Sequence, residues 1–313
     1  MGNTLIWIPK RLVELDLLNV AALSPQAFVD YCEEDYRARI RSAAQSVLES
    51  GAKVVMLTGP SSSGKTTTAY KLAQQLQTQG VQAAVVSLDN FFKNIDEYPL
   101  LPDGTPDYES VDALNLQEIN RCLLELSRVG CTEIPDFDFC REQRRMGHVP
   151  VQIGSGIAIV EGIHALNPRL TALLPPKSVY KIYAGLREEY STDGQRSLPT
   201  RDVRLARRMV RDYQFRGHSV EKTMSMWPAV CEGEDKNIKV FKPEADLLLD
   251  TSFSYEVCCL APLVCAHRDA LPEQSAYVQR LHNLCDVFGR CHTIPLSMVP
   301  KDSMLREFLG TDA

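Results

Sequence analysis

The chain has 313 residues, of which 44% are hydrophobic and 24% are charged, and this ordinary globular composition excludes extensive disorder. Its length accommodates one large α/β domain with additions, or two small domains. The formal net charge of −6 excludes a general nucleic-acid binder, because nothing global offsets the repulsion of the phosphates. Arginines concentrated at one site could still bind an anionic substrate.

The ten cysteines form no C-x-x-C pair and the six histidines form no H-x-x-x-H pair, so the sequence predicts no zinc site. We interpret the thiols as small core residues of a protein in a reducing compartment. The apolar run Leu5–Ile8 is too short for a signal peptide, and no segment has the length of an apolar membrane span. The sequence therefore predicts a cytoplasmic protein with no membrane partner.

The first predicted element is a helix near the amino terminus. Ser24, followed by a proline, is typical of an N-cap and a first helical position. Apolar residues then recur at helical spacing from Phe28 onward, and Gly51 ends the segment. We expect residues 1–51 to form a helical entry segment that packs on the main domain.

Short apolar runs that alternate with helical patterns predict a parallel sheet with helices on both faces. The predicted strands are Val54–Leu57, Ala83–Leu88, Ile157–Val160, Val179–Tyr183 and Ala245–Leu249. We assign residues 52–252 to this α/β domain. Residues 253–313 show helical spacing and no motif with a chemical role, and we expect a helical extension packed on the domain.

Residues 59–66 have the sequence GPSSSGKT and match G-x-x-x-x-G-K-[ST] in full. The glycines allow successive amides to face one anion, and the helix that follows presents its N-terminal amides to the same phosphates. Lys65 is expected to reach the β- and γ-phosphates of ATP, and Thr66 Oγ1 to bind Mg²⁺. The alternative is a glycine–serine turn that binds nothing, and the flanking strand and helix disfavour it. The predicted nucleotide-binding residues are Gly59, Pro60, Ser61, Ser62, Ser63, Gly64, Lys65, Thr66 and Thr67.

Two carboxylates follow predicted strands of this P-loop NTPase-type sheet. Asp89 comes after the strand that follows the P-loop helix, and Glu161 follows Ile157–Val160. Because the chemistry of an open parallel sheet gathers at the carboxyl ends of its strands, we expect both to face the same crevice as Lys65. One can accept the proton of a hydroxyl acceptor, and the other can hold magnesium directly or through water. The alternative is a helix N-cap or a surface turn, which is common for Asp and less so for Glu.

Three further motifs accompany the phosphate loop. They are SLDNFF at Ser87–Phe92, IPDFDF at Ile134–Phe139 and VEGI at Val160–Ile163. Together these motifs resemble the uridine kinase/phosphoribulokinase family over roughly residues 52–252. The resemblance implies that Asp89 is the catalytic base and that Glu161 helps to hold magnesium, in agreement with the prediction from the strand ends.

An arginine-rich segment follows the predicted sheet strands. At helical spacing, an arc of about 80° contains four arginines, which are Arg201, Arg204, Arg208 and Arg211. Such a stripe suits a lid that closes over polyphosphate, and a solvated helix face is the alternative. The resemblance favours a lid over about residues 185–243, in which Arg208 binds the ribose while Arg211 and Arg216 bind phosphates. The predicted catalytic residues are then Asp89, Lys65 and Arg211.

The resemblance also places an acceptor pocket around the loop 93–110, where this sequence departs from the uridine–cytidine kinases. Glu109, next to Tyr108, replaces an aspartate that holds the ribose hydroxyls. Phe137 replaces a tyrosine at the pyrimidine, Met226 replaces a lid glutamine, and the histidine expected shortly after Phe137 is absent. The predicted substrate-binding residues are Tyr108, Glu109, Phe137 and Arg208.

The leading hypothesis is an ATP- and Mg²⁺-dependent kinase that phosphorylates the 5′-hydroxyl of a ribonucleoside, with no nucleic-acid partner and with homo-oligomerisation left open. The second hypothesis is a kinase for another small alcohol, such as a sugar phosphate. The third is a P-loop switch or GTPase that makes no product. Against the third, the guanine-reading N-K-x-D motif is missing and Glu161-Gly162 replaces the usual D-x-x-G.

Overall fold

The structure is a computed structural model, and it describes residues 9–138 and 143–310. Phe139 of the IPDFDF motif and the ends of the predicted terminal segments, 1–8 and 311–313, lie outside the described residues. The strands are β1 Arg11–Glu14, β2 Val54–Thr58, β3 Ala83–Ser87, β4 Cys131–Asp138, β5 Gln143–Gln152, β6 Ile157–Glu161, β7 Val179–Gly185, β8 Glu188–Thr192, β9 Gln195–Leu198 and β10 Leu247–Asp250. The α-helices are α1 Leu15–Ala22, α2 Pro25–Ser50, α3 Lys65–Thr78, α4 Leu116–Val129, α5 Thr200–Phe215, α6 Val220–Asn237, α7 Glu256–Cys265, α8 Val278–Phe288 and α9 Arg306–Leu309.

Five parallel strands form the central sheet in the order β10-β7-β2-β6-β3. Successive residues of β2 enter apolar clusters on opposite faces, with Val55 and Leu57 beside α2 and α3, and Val54 and Met56 beside α4. A parallel sheet covered on both faces needs such an uninterrupted apolar strand. The predicted α/β sheet with helices on both faces is therefore confirmed.

The register of the sheet brings polar residues to one edge. Glu161, the last residue of β6, pairs with Leu57 of β2 on one side and with Ser87, the last residue of β3, on the other. Since all five strands are parallel, their carboxyl ends lie along the same edge, where ligands of open α/β sheets bind. The residues predicted from the strand ends thus lie at the same edge of the sheet.

Local sequence accounts for the ends of the main helices. Pro25 occupies the first turn of α2, and Gly51 ends this helix in the left-handed conformation with φ 68°. The side chain of Asn115 caps α4 by accepting from the amide of Glu118. Gly130, with φ 74°, ends α4, and a Cβ at this position would lie 2.0 Å from a backbone oxygen of Gly154.

Two smaller sheets were not predicted. The strands β4 and β5 form an antiparallel hairpin, with a register shift between Pro135 and Phe137. The strands β8 and β9 form a second hairpin, and β1 adds to it in parallel. Prolines and short polar strands weaken the alternation of polar and apolar residues by which strands are predicted, and this explains why both hairpins were missed.

The terminal helices share an apolar cluster with the sheet. Tyr36 of α2, Leu57 of β2, Cys258 of α7 and Phe308 of α9 all belong to it. The division of the chain into three segments stays a prediction. Within residues 9–138 and 143–310, no helix has both the length and the apolar character that crossing a bilayer requires.

Candidate active site

The phosphate loop, residues 59–64, connects β2 to α3. Gly64 has φ 79°, and a Cβ at this position would lie 2.3 Å from Met304 Sδ. At Gly59, a Cβ would lie 2.3 Å from the carbonyl oxygen of Ala184. Both positions therefore need glycine, because other groups approach too closely for a side chain. Gly64 also needs it because its backbone is in the left-handed conformation.

The loop leaves several polar groups without partners inside the protein. The amide of Thr68 donates to the carbonyl of Gly64 at 2.9 Å, so the amides of residues 64–67 lie ahead of the first helical hydrogen bond. The hydroxyls of Ser62 and Ser63 are buried and have no hydrogen-bond partner among the described residues. Phosphate oxygens accept hydrogen bonds from such unpaired donors at a helix N-terminus, so these residues fit a triphosphate.

Glu161 links the phosphate loop to the neighbouring strand. Its Oε2 accepts a hydrogen bond from Thr66 Oγ1 at 3.1 Å, and its Oε1 accepts one from Ser87 Oγ at 2.8 Å. Burial raises the pKa of Glu161, the positive charge of Lys65 opposes this, and the negative charge of Asp89 adds to it. The structure therefore brings the predicted metal, phosphate and base residues into one crevice.

The residues present also fit a magnesium ion. A threonine hydroxyl and a carboxylate are hard oxygen ligands, and here they lie 3.1 Å apart. Across the parts of the chain that the structure describes, no group of three or more His, Cys, Asp or Glu residues is placed to hold a metal. An ion at Thr66 and Glu161 would thus take its remaining ligands from phosphate oxygens and water.

Asp89 lies just beyond β3, in a 3₁₀ turn at Leu88–Phe91. The predicted strand Ala83–Leu88 ends one residue earlier, at Ser87, whose Oγ accepts a hydrogen bond from the Asp89 amide at 3.4 Å. The Asp89 side chain is exposed. An exposed carboxylate beside a cationic loop is available to accept a proton from a ligand in the crevice.

Helix α5 is docked on the phosphate loop by three arginines. Arg204 Nη1 donates to the carbonyl of Ser61 at 3.0 Å, and Arg207 Nη1 donates to the carbonyl of Ser62 at 3.3 Å. Arg208 Nη1 donates to Ser61 Oγ at 2.8 Å. These hydrogen bonds fix the position of the loop backbone relative to the arginine helix.

All three arginines are buried, and two of them pair with carboxylates on neighbouring helices. Arg204 lies 2.6 Å from Glu234 of α6. Arg207 forms two hydrogen bonds with Glu256 of α7, at 2.5 and 2.8 Å. Arg204 belongs to the stripe that was predicted to face polyphosphate. In the structure it is buried and supports the phosphate loop from inside the protein. No local pattern could show this, because the partners are 30 and 49 residues away.

The other arginines gather around Asp212, which is fully buried. Its carboxylate lies 3.2 Å from Arg208 Nε, 2.8 Å from Arg211 Nη2 and 3.6 Å from Arg216 Nε. One carboxylate among three guanidinium groups leaves a local excess of positive charge. The predicted ribose and phosphate arginines thus form one cluster around Asp212, which was not among the predicted site residues.

Glu109 lies on the same side of the crevice as Arg208. Burial raises the pKa of Glu109, and the positive charge of Arg208 opposes this. The carbonyl of Glu109 accepts a hydrogen bond from Asn237 Nδ2 at 2.8 Å, and Gly233 leaves room for its side chain, since a Cβ there would lie 2.9 Å from Glu109 Cγ. Helix α6 therefore positions this carboxylate.

A row of aromatic rings connects the other predicted acceptor residues. The rings of Tyr108 and Tyr98 are 5.5 Å apart, those of Tyr98 and Phe92 are 5.9 Å apart, and those of Phe92 and Phe137 are 5.8 Å apart. Phe137 is buried, whereas Tyr108 is 47% exposed. Met226 is exposed on α6. Tyr108 and Phe137 thus belong to one apolar wall.

The C-terminal segment, residues 303–310, reaches the phosphate loop, although the sequence analysis gave it no chemical role. Met304 contacts the position of Gly64, as described above, and Glu307 Oε2 accepts a hydrogen bond from Thr67 Oγ1 at 2.6 Å. The guanidinium of Arg207 lies 4.8 Å from the ring centre of Phe308. Thr67, predicted to bind the nucleotide, therefore has its hydroxyl engaged by the C-terminal segment.

Residues 54–180 match the model of the family described as "Phosphoribulokinase / Uridine kinase family". A uridine kinase from Saccharomyces cerevisiae is 28% identical over 181 residues, which cover 56% of this chain and 32% of that protein. A uridine kinase from Mycoplasma genitalium is 28% identical over 206 residues, which cover 65% of this chain and 87% of that protein. The chain spans between 32% and 54% of the length of the first three curated relatives that it matches.

Solved structures to which this chain is similar include a putative fructose transport system kinase from Silicibacter sp. TM1040. It has 24% sequence identity and a TM-score of 0.48, and the match covers 67% of this chain and 98% of that one. A possible uridine kinase from Bacillus stearothermophilus has 16% identity and a TM-score of 0.45, with 69% of this chain and 100% of that one covered.

Proposed function

We propose that this chain is an ATP- and Mg²⁺-dependent kinase that phosphorylates a hydroxyl of a small molecule, and the match of residues 54–180 to the phosphoribulokinase/uridine kinase family model supports this. The first candidate for the acceptor is the 5′-hydroxyl of a ribonucleoside. The observation that carries the proposal is the pair of hydrogen bonds from Thr66 and Ser87 to Glu161, beside Lys65 and Asp89. It joins a phosphate-binding loop, two metal ligands and a base in one crevice.

On the donor side, the amides of the phosphate loop and the Lys65 ammonium hold phosphate oxygens, while Thr66 and Glu161 hold the metal. Bound Mg-ATP supplies the phosphoryl group. Arg211 and Arg216 neutralise negative charge on the phosphates, and Asp212 keeps both guanidinium groups in place. Positioning and charge neutralisation are the main contributions that a protein makes to phosphoryl transfer.

On the acceptor side, Asp89 accepts the proton of the attacking hydroxyl. Glu109 and Arg208 are opposite charges on the same side of the crevice, and they suit a vicinal pair of ribose hydroxyls, because a carboxylate accepts and a guanidinium donates. Tyr108 and Phe137 supply an apolar wall for a base. Phe137 offers no hydroxyl to a base, so we expect base preference to be broad.

A second candidate is a kinase for another small alcohol, such as a sugar phosphate. The positive cluster around Asp212 favours it, because an acceptor that carries its own phosphate would gain from the excess guanidinium charge. A P-loop switch without a product is disfavoured, because a switch has no use for Asp89 and Glu109 beside the phosphate loop.

The test is a panel of ribonucleosides, sugars and sugar phosphates, incubated with the full chain, ATP and Mg²⁺, with products identified by mass. Formation of a nucleoside 5′-monophosphate supports the first candidate. A phosphorylated sugar or a bisphosphate in its place supports the second. ATP hydrolysis without any phosphorylated acceptor contradicts both.

A further inference from the structure

We propose that a cavity beside the phosphate loop binds a small phosphorylated anion at a site separate from the proposed kinase site. The cavity has a volume of about 430 Å³ and is bounded by the end of β7, the β8–β9 hairpin, the start of α5 and the end of α6. Of the predicted nucleotide- and substrate-binding residues, only Pro60 lines it, together with Arg201 and Arg204 of the predicted arginine stripe. This volume is within the range of small-metabolite sites.

The walls of the cavity are strongly cationic. The cationic lining residues are Lys10, Arg187, Arg196, Arg201, Arg204, Lys239, Lys242 and Arg280. Against these eight cations, the lining contains three carboxylates, those of Glu189, Asp202 and Glu234. The lining thus contains five more cations than carboxylates, in a chain whose net charge is −6. Charges of one sign around a cavity focus the electric field and attract anions.

The lining carboxylates are already engaged by cations of the same cavity. Glu189 lies 2.6 Å from Lys10 and 3.3 Å from Arg196. Asp202 lies 3.1 Å from Arg280. Glu234 lies 2.6 Å from Arg204 and 2.9 Å from Lys239. Asp235, which does not line the cavity, lies 2.6 Å from Arg201 and 3.0 Å from Lys239. These four carboxylates cannot neutralise eight cations, so an external anion would complete the charge balance.

Burial and the neighbouring cations both act on Lys242 in this cavity. Burial lowers the pKa of its ammonium group to about 8, and the charges of Arg187, Lys10 and Lys239 act in the same direction. Its Nζ lies 5.2 Å from the ring centre of Tyr183, which closes one side of the cavity. Repulsion of this kind opposes folding, and proteins tolerate it where a ligand removes it.

The guanidinium and ammonium groups that line the cavity favour a ligand that carries phosphate. Guanidinium groups bind phosphate oxygens in pairs, and ammonium groups add point charges. A nucleic-acid strand is disfavoured, because the chain as a whole is negative. Arg204 lines the cavity and also donates to the Ser61 carbonyl at 3.0 Å, so the ligand would lie against an arginine that supports the phosphate loop.

The test uses inorganic pyrophosphate as the probe, titrated by calorimetry into the full chain without magnesium. The Lys65→Ala background weakens binding at the phosphate loop, so that the cavity accounts for more of the measured binding. We expect saturable binding that either Lys242→Gln or Arg196→Gln weakens by about tenfold or more. Lys236→Gln is the matched control, because Lys236 is exposed on α6 and does not line the cavity, and it should leave the affinity unchanged.

Thermal unfolding provides a second readout. Pyrophosphate should raise the melting temperature of the Lys65→Ala chain by mass action, and it should do so much less after Lys242→Gln. The proposal is overturned if the Lys65→Ala chain binds no pyrophosphate at millimolar concentration. It is equally overturned if Lys242→Gln and Arg196→Gln both leave the binding unchanged.

Discussion

Thr67 Oγ1 donates a hydrogen bond to Glu307 Oε2 at 2.6 Å, across 240 residues of sequence. Thr67 belongs to the first turn of α3, where phosphates are expected to bind, and Glu307 lies in α9. A carboxylate near a helix N-terminus is favourable for the ligand-free chain, because the N-terminus of the helix is positive. The same carboxylate repels a phosphate that approaches this turn.

Glu307→Gln should therefore have two opposite effects. It should lower the free energy of unfolding of the ligand-free chain by about 0.5–1 kcal/mol, the usual value for a charge at a helix terminus. It should also strengthen ATP binding by about three- to tenfold, because a negative charge close to the phosphates is removed. Urea unfolding and calorimetry measure the two quantities. Weaker ATP binding would show that Glu307 assists the nucleotide.

Lys65→Ala should reduce turnover by at least about 100-fold, since a positive charge on the transferring phosphoryl group is lost. Thr66→Ala should have a similar effect, because a metal ligand is lost. Lys71→Ala on the same helix is the control, and it should leave turnover near that of the original chain. Near-normal activity in a folded Lys65→Ala or Thr66→Ala chain would contradict the assignment of the phosphate loop.

Asp89→Asn should leave ATP affinity nearly intact and should lower kcat by about 10²–10⁴, the usual contribution of a positioned base. The exposed Asp89 carboxylate lies outside the Glu161–Thr66 pair that would hold the metal, so nucleotide binding should not depend on it. Asp96→Asn, at another exposed aspartate of the following loop, is the control. A collapse of ATP affinity in Asp89→Asn would assign Asp89 to the metal.

The sequence was sufficient to predict the features that follow from local pattern. The strand β2, the phosphate loop and helix α3 are consecutive, and each has its own signal in the residues. The position of Glu161 at the edge of the sheet followed from a general rule for parallel strands. Both predictions needed only residues that are close together in the chain.

The long-range contacts that hold the site in place could not be predicted in this way. Arg207 pairs with Glu256, Arg204 pairs with Glu234, and Met304 contacts the position of Gly64. Each contact joins residues that are far apart in the sequence and lie in different elements of the structure, and no periodicity relates them. The helical spacing correctly grouped the arginines on one segment, but only the packing of α6 and α7 decides which of them are buried.

His164 should make stability depend on pH. Its two ring nitrogens are buried without hydrogen-bond partners among the described residues, and burial lowers its pKa to about 4. An unfolded histidine has a pKa of about 6.5, so between these values the unfolded state binds the proton and the folded state excludes it. The free energy of unfolding should therefore fall as the pH drops from about 6.5 toward 4, with a loss of about 2 kcal/mol at pH 5 from this residue.

The measurement is urea unfolding at neutral pH and near pH 5. In His164→Gln the part of the pH dependence due to this residue should disappear, whereas His292→Gln, at an exposed histidine, should keep it. The same pH dependence in His164→Gln as in the original chain would contradict the prediction.

The last prediction concerns the acceptor pocket, where Glu109 and Arg208 are proposed to hold vicinal ribose hydroxyls. A 2′-deoxyribonucleoside leaves one of these charged groups without its partner, and a lost charge-assisted hydrogen bond costs about 1.5–3 kcal/mol. We therefore expect kcat/KM for uridine to exceed that for 2′-deoxyuridine by about one to two orders of magnitude. Glu109→Gln should lower this ratio by reducing the activity on uridine, while the control Glu133→Gln, at an exposed residue of β4, should not change it. Equal use of the two nucleosides by the original chain would refute the proposed ribose site, and an unchanged ratio in Glu109→Gln would move that site away from Glu109.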